Sequence, residues 1–161
     1  MELYNTKNEL DRIDFHDCIV ESIYLEENKI TFNIESVNVL VGHMLNPYDV
    51  AKNTDQCTLE FINVERYESG YFEREKDTRI DIELIHNNDF EILKSDILAE
   101  EGMNLYKLFG MASNFNNEFS EIIIRAEYTN ISGISTFLML GLSIGQRLNS
   151  FLYRRFEQNS P

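Results

Sequence analysis

The sequence predicts an α+β fold. A mostly antiparallel β-sheet of about six or more strands, flat or curled into a partly open barrel, carries a C-terminal helix on one face. Three observations lead there. Apolar residues alternate with polar ones in several short runs, the period of a strand with one buried face. Short turn-rich segments such as "EENK" (26–29) and "HNND" (86–89) separate those runs, as local antiparallel pairing requires. Only near the C-terminus does the apolar spacing lengthen to that of a helix.

Taken in order, residues 5–12 suit a short helical turn. A strand over 18–25 sets Ile19, Ile23 and Leu25 on one face. Glu21 interrupts that face, so the strand lies at a sheet edge or bends there. The turn at 26–29 contains Asn28, which tolerates a left-handed backbone. Ile30, Phe32 and Ile34 then alternate with Thr31, Asn33 and Glu35. Val37, Val39 and Val41 stand at odd spacing from Ile34, so the facing switches near Ser36, as a bulge would make it. Residues 42–56, "GHMLNPYDVAKNTDQ", show no period and read as a long loop, a class that often carries function.

Cys57, Leu59 and Phe61 mark the next strand, and residues 64–77 read as a charged connection or exposed extended segment. Ile80, Ile82 and Leu84 alternate most cleanly of all, and a strand returns from Phe90. Residues 95–117 fit either a short helix or another strand. Ile122, Ile124, Ala126 and Tyr128, with Ile123 on the opposite face, describe a central strand. Leu140, Ile144, Leu148, Phe151 and Arg155 then fall on one helical face, which Leu152 and Phe156 widen. Arg154 and Arg155 suit the helix C-terminus. Gly141 and Gly145 each cost about 1 kcal/mol against Ala in a helix, and they lie four apart on the side that would meet the sheet.

No linker, repeat or low-complexity tract divides the chain, so residues 1–161 are expected to form a single domain. With 43% hydrophobic residues it has enough apolar surface for a core. The net charge of −14 is uneven: from Thr136 onward Arg147, Arg154 and Arg155 outweigh Glu157 by +2, leaving −16 on the rest. Such a surface repels phosphate backbones, so no nucleic-acid partner is expected, whereas a basic protein would be steered toward it.

The N-terminus has neither the basic nor the apolar region of a signal peptide, and the apolar run 131–145 is short for a membrane span. A cytoplasmic protein with no membrane partner is the expectation. Two cysteines, Cys18 and Cys57, are too few for a disulfide scaffold and read as small buried hydrophobes.

Little in the chain points to catalysis. The seven glycines are scattered and build no phosphate loop. Neither cysteine has a basic sequence neighbour to lower its pKa. His16-Asp17 could contribute to a metal site with Asp11 and Asp14, since imidazole and carboxylates suit divalent metals. The structural reading is preferred, in which His16 or Asp17 bonds nearby backbone N–H groups where the chain enters a strand. No cofactor is expected. The stretch 65–75, "ERYESGYFERE", sets aromatics among acids, so Glu65, Tyr67, Glu68, Tyr71, Phe72 and Glu73 are the expected partner-binding residues. The plainer alternative is a solvated connection whose aromatics tuck onto the sheet.

Residues 15–34, "FHDCIVESIYLEENKITFNI", follow the pattern HD-x-x-I-x-x-I with a returning strand, matched at His16, Asp17, Val20, Ile23, Ile30 and Phe32. This run resembles the opening of small bacterial domain families, some of them polymorphic-toxin immunity proteins and others uncharacterised. The resemblance implies an intracellular protein that binds and neutralises a toxin domain. The expectation is therefore a non-enzymatic, acidic, immunity-like binding protein that occludes a basic surface. One alternative is a small enzyme or metal-binding domain using His16 and nearby carboxylates. Another is a structural or oligomerising domain that buries the Gly141/Gly145 helix face or an open sheet edge.

Overall fold

A computed structural model describes residues 3–73, 76, 78–84, 88–116 and 118–134. They form strands β1 (Leu3–Lys7), β2 (Ile13–Asp14), β3 (Cys18–Glu26), β4 (Lys29–Ile34), β5 (Asn38–Val39), β6 (Lys52–Asn53), β7 (Cys57–Glu73), β8 (Thr78–Asp81), β9 (Phe90–Glu100), β10 (Met103–Ala112) and β11 (Glu118–Ile134). Short 3-10 turns occupy Leu10–Arg12 and Ser113–Phe115.

Six strands close on themselves in the order β3-β4-β7-β11-β10-β9 and back to β3, every pair antiparallel. β1 continues the sheet beside the far half of β11, and β8 beside the far half of β7. The ring is strongly staggered. From Val20, the register runs one way through Ile34 and Cys57 to Gly133, and the other way through Phe90 and Ala112 to Glu118. Arriving 15 residues apart on the same strand, these two paths require steeply tilted strands.

Bulges let the sheet curve this way. Glu21 is the extra residue where Val20 pairs with Ile34 and Ser22 with Asn33. The residue that spoils the alternation is thus where β3 bends away from β9. Glu65 is the extra residue of β7, two positions after Asn63, which is left-handed at φ 54°. There β7 leaves β4 and goes on to pair with β8, while β11 follows it throughout.

The interior is filled by the inward residues of all six strands. Phe32, Phe61 and Tyr106 meet edge-to-face at 5.2 and 5.1 Å, with Val20, Ile34, Leu59, Phe90, Ile92, Ile122 and Ile124 packed around them. Each such side chain contributes roughly 1.5–3 kcal/mol through burial. The end where β3 and β7 begin is closed by a small sheet of β2, β5 and β6, which adds Leu10, Ile13, Phe15 and Val37 to the core.

Side chains hold that cap in place of regular structure. Buried Asn46 donates to the carbonyls of Val39 and Val50 and accepts from Tyr48 N–H. Thr54 Oγ1 accepts from Val37 N–H, and His43 Nδ1 from Leu45 N–H. The long loop at 42–56 is therefore a structural lid that contains β6.

These facts correct several expectations. The α+β class is overturned, because the described residues are nearly all antiparallel β and their only helical turns are 3-10. The helix expected over 140–156, with Gly141 and Gly145, lies outside the described residues, as does His86. Residues 5–12 are mostly β1 and a 3-10 turn. The facing switch near Ser36 arises because the chain changes sheets there, from β4 to β5, with no bulge. Residues 64–73 are the second half of β7, and 95–112 are strand apart from a tight turn.

Candidate functional site

β7 carries all six residues expected to bind a partner, and its bend decides what each can do. Beyond Glu65, Tyr67 pairs with Ile124, Ser69 with Ile122 and Tyr71 with Ser120. Ile122, Ile124 and Ser120 are fully buried, so the odd-numbered residues of this half face inward. Tyr71 stacks on Phe115 at 4.8 Å and 12°, and Phe115 packs against the core, so this aromatic serves packing. Phe72 faces outward and meets Phe109 of β10, which stacks on half-exposed Phe119 of β11. Glu65 is ion-paired with Arg125. Glu73 pairs with Lys76 across the β7–β8 turn, and Glu68 stays exposed.

Tyr67 differs from these. It points to the inner side, but β7 has here run past the start of β4 at Lys29, and among the described residues it remains 46% exposed. A groove of about 540 Å³ opens there between the tip of the β3–β4 hairpin and β8, lined by Tyr67, Leu25, Ile82, Leu84, Asp81 and Glu83. Its floor is apolar, and two exposed carboxylates stand on its rim. A smaller cavity of about 270 Å³ shares Tyr67, Asp81 and Ile82 and adds Glu68, Ser69 and Arg79. Arg79 is paired with Asp81 and lies 3.9 Å from Glu121. Glu83 is the rim acid closest in sequence to the buried anchor Leu84.

The geometry of the His16-Asp17 pair is that of a turn. His16 Nδ1 lies 3.0 Å from Asp17 Oδ1, with both side chains exposed. The backbone work expected of them is done by Asp14, whose Oδ1 accepts from His16 N–H at 3.0 Å. Asp17 contributes a left-handed backbone at φ 61°, and its N–H donates to Ile92 O, which starts the β3–β9 pairing. Among the described residues no group of three or more His, Cys, Asp or Glu is placed to hold a metal ion.

Just beyond this turn the Cys18 thiol is pushed up from an ordinary 9.0 to about 11, first by burial and then by the charge of Asp14. That environment suppresses the thiolate a nucleophile would need. Among the described residues no helix is long and apolar enough to cross a membrane.

A second cleft, of about 410 Å³, lies under the β9–β10 hairpin, walled by Ile97, Ala99, Leu10 and Tyr106. Burial raises the Tyr106 pKa, opposed by hydrogen bonds with Thr129 and Asn104. The Asn8 carboxamide there accepts from Thr129 N–H, and Asn104 donates to Glu127 O, so these amides already serve the fold.

The sequence reading thus found Tyr67 and Glu68 but missed their companions. Leu25 reaches the groove from β3, and Asp81, Ile82 and Glu83 from the end of β8 and the segment after it, which the β7–β8 register sets beside β7. No protein-family model, curated protein or solved structure matches the chain.

Proposed function

We propose that the protein is a non-enzymatic binding protein of immunity type, and that it engages a basic toxin domain through the groove centred on Tyr67. The observation that carries this reading is the groove itself: an exposed aromatic on an apolar floor, rimmed by the carboxylates of Asp81 and Glu83. A Lys or Arg side chain entering it would lay its aliphatic stem along Leu25 and Ile82. Its charge would meet the Tyr67 ring and the Glu83 carboxylate. Aromatic anchors surrounded by acids are the composition of an interface that steers and then holds a basic protein.

The net charge of −14 adds long-range attraction, which speeds encounter more than it deepens affinity. The likeness of residues 15–34 to immunity-type domains supports the same reading. Inhibition is by occlusion, because binding at the groove covers the partner's basic substrate-binding surface.

Co-expression with candidate basic toxin domains, beginning with any encoded next to this gene, tests the proposal. The wild-type protein is expected to restore growth. Tyr67→Ala combined with Glu83→Lys is expected to abolish protection while leaving expression intact. Protection that survives both changes would place the binding surface elsewhere, and absence of protection by the wild type would remove the immunity reading.

A further inference from the structure

Among the described residues, one edge of β9 has no neighbour beyond Ile92. Phe90–Ile92 pair with β3, but among the described residues no backbone hydrogen bond reaches that edge beyond Ile92. Residues 94–99 are exposed without interruption, on both faces of the strand. The exposed residues include Ile97, at 43%, and Leu98, at 47%. No proline or bulge interrupts 94–100 to block pairing, although an open edge of this kind is a liability that proteins usually cover.

The turn defines which groups the edge presents. Glu101 and Gly102 have φ of 45° and 82°, the two left-handed residues of a type I′ turn, closed by the Glu100–Met103 pair. In such a hairpin the closing pair is hydrogen-bonded, so the N–H and C=O of Glu100, Leu98 and Asp96 point to β10. Those of Ser95, Ile97 and Ala99 therefore point outward along the open edge.

We infer that a second copy of this chain pairs with this edge, β9 antiparallel to β9 across a two-fold axis at Ile97. An added antiparallel strand must set Ser95, Ile97 and Ala99 against one another, which leaves three central registers. Centred on Asp96, the pairing puts Asp96 opposite its own copy. Centred on Leu98, it puts Asp96 opposite Glu100. Centred on Ile97, it puts Lys94 opposite Glu100 on both sides of the axis, Asp96 opposite Leu98 and Ile97 opposite Ile97.

Like charges directly opposite destabilise a ladder and opposite charges stabilise it, so the charge pattern selects the Ile97-centred register. In the single chain Lys94 is paired with Asp96 at 2.6 Å on its own strand, and Glu100 lies 3.7 Å from Arg125. Lys94 therefore turns from Asp96, or bridges it, to meet the second copy's Glu100. A self-complementary strand is what a two-fold interface requires. The surface involved is not the Tyr67 groove, so this inference stands apart from the proposed partner binding.

Sedimentation velocity on the full chain, up to about 500 μM at near-physiological salt, reads the outcome. The wild type is expected to reach a dimer, twice 18.9 kDa, with concentration. Lys94→Glu and Glu100→Lys each place two like-charge pairs across the axis, and each is expected to weaken association by about tenfold or more. The double variant K94E/E100K restores opposite charges and is expected to return to within about threefold of the wild type. Thermal melts confirm that each variant is folded. A wild type that stays monomeric overturns the proposal, as does a Lys94→Glu variant that associates unchanged. Failure of the double variant to recover overturns the register.

Discussion

At the scale of single residues, the closed ring depends on positions where a side chain has no room or a charge has no water. Gly110 sits where β9 bulges against β10, with Leu93 as the extra residue. A Cβ there would stand 1.9 Å from the Glu91 carbonyl oxygen and 2.8 Å from the Phe90 ring. Gly110→Ala is therefore expected to cost about 2–4 kcal/mol, because two backbones must separate. Gly102→Ala meets nothing within 4 Å and strains only a left-handed turn at φ 82°, so about 1 kcal/mol is expected. Urea denaturation of the two variants reads the contrast, and equal losses would refute the close approach.

Cys18 gives a pH dependence at the same scale. Its folded pKa of about 11 lies above its ordinary 9.0, so its contribution to stability is full below pH 9 and lost as pH rises through 11. Two units correspond to about 2–3 kcal/mol. Since other groups titrate in that range, the measurement is the stability difference between wild type and Cys18→Ala at pH 8 and pH 11. That difference is expected to move toward the alanine variant by about that amount.

At the scale of elements, alternation revealed most of the strands. The β3–β4 hairpin, the start of β7 and the central run of β11 follow the period-two pattern directly. The pattern failed at deliberate breaks in pairing. Glu65 and Asn63 look like polar residues of a connection, yet they are the bulge and left-handed residue that let β7 continue as one strand of 17 residues. The "EG" turn at 101–102 escaped notice because a glutamate at φ 45° is unusual, and this left the stretch 95–117 ambiguous. β8 ends at Asp81, with Ile82 N–H still donating to Ser69 O of β7, although the alternation through Leu84 suggests a longer strand. The bend carries its own test. Asn63→Gly is expected to change stability by less than about 0.5 kcal/mol, offsetting its lost bond to Glu127 by easier left-handed geometry. Asn63→Val, a branched residue forced to φ 54°, is expected to lose about 1–3 kcal/mol in the same denaturation experiment.

At the scale of the whole molecule, the acidic closed sheet has two distinct exposed features, a groove and a strand edge. The Tyr67 groove gathers an apolar floor and two carboxylates from β3, β7, β8 and the segment after β8. The open edge of β9 offers main-chain hydrogen bonds in a register set by Lys94 and Glu100. Composition announced the acidic surface and "ERYESGYFERE" announced the aromatics, but neither could separate Tyr67 from Tyr71. Four residues apart on the same face, one opens into a groove and the other closes the barrel on Phe115. We propose that a basic partner binds through the groove. It is tested by surface plasmon resonance of a basic toxin domain that the protein neutralises, on wild-type protein and on Tyr67→Ala, at low and physiological salt. Tyr67→Ala is expected to melt with the wild type yet dissociate about tenfold faster or more, and wild-type association to slow steeply as salt rises. Unchanged dissociation from Tyr67→Ala, with association indifferent to salt, would contradict it.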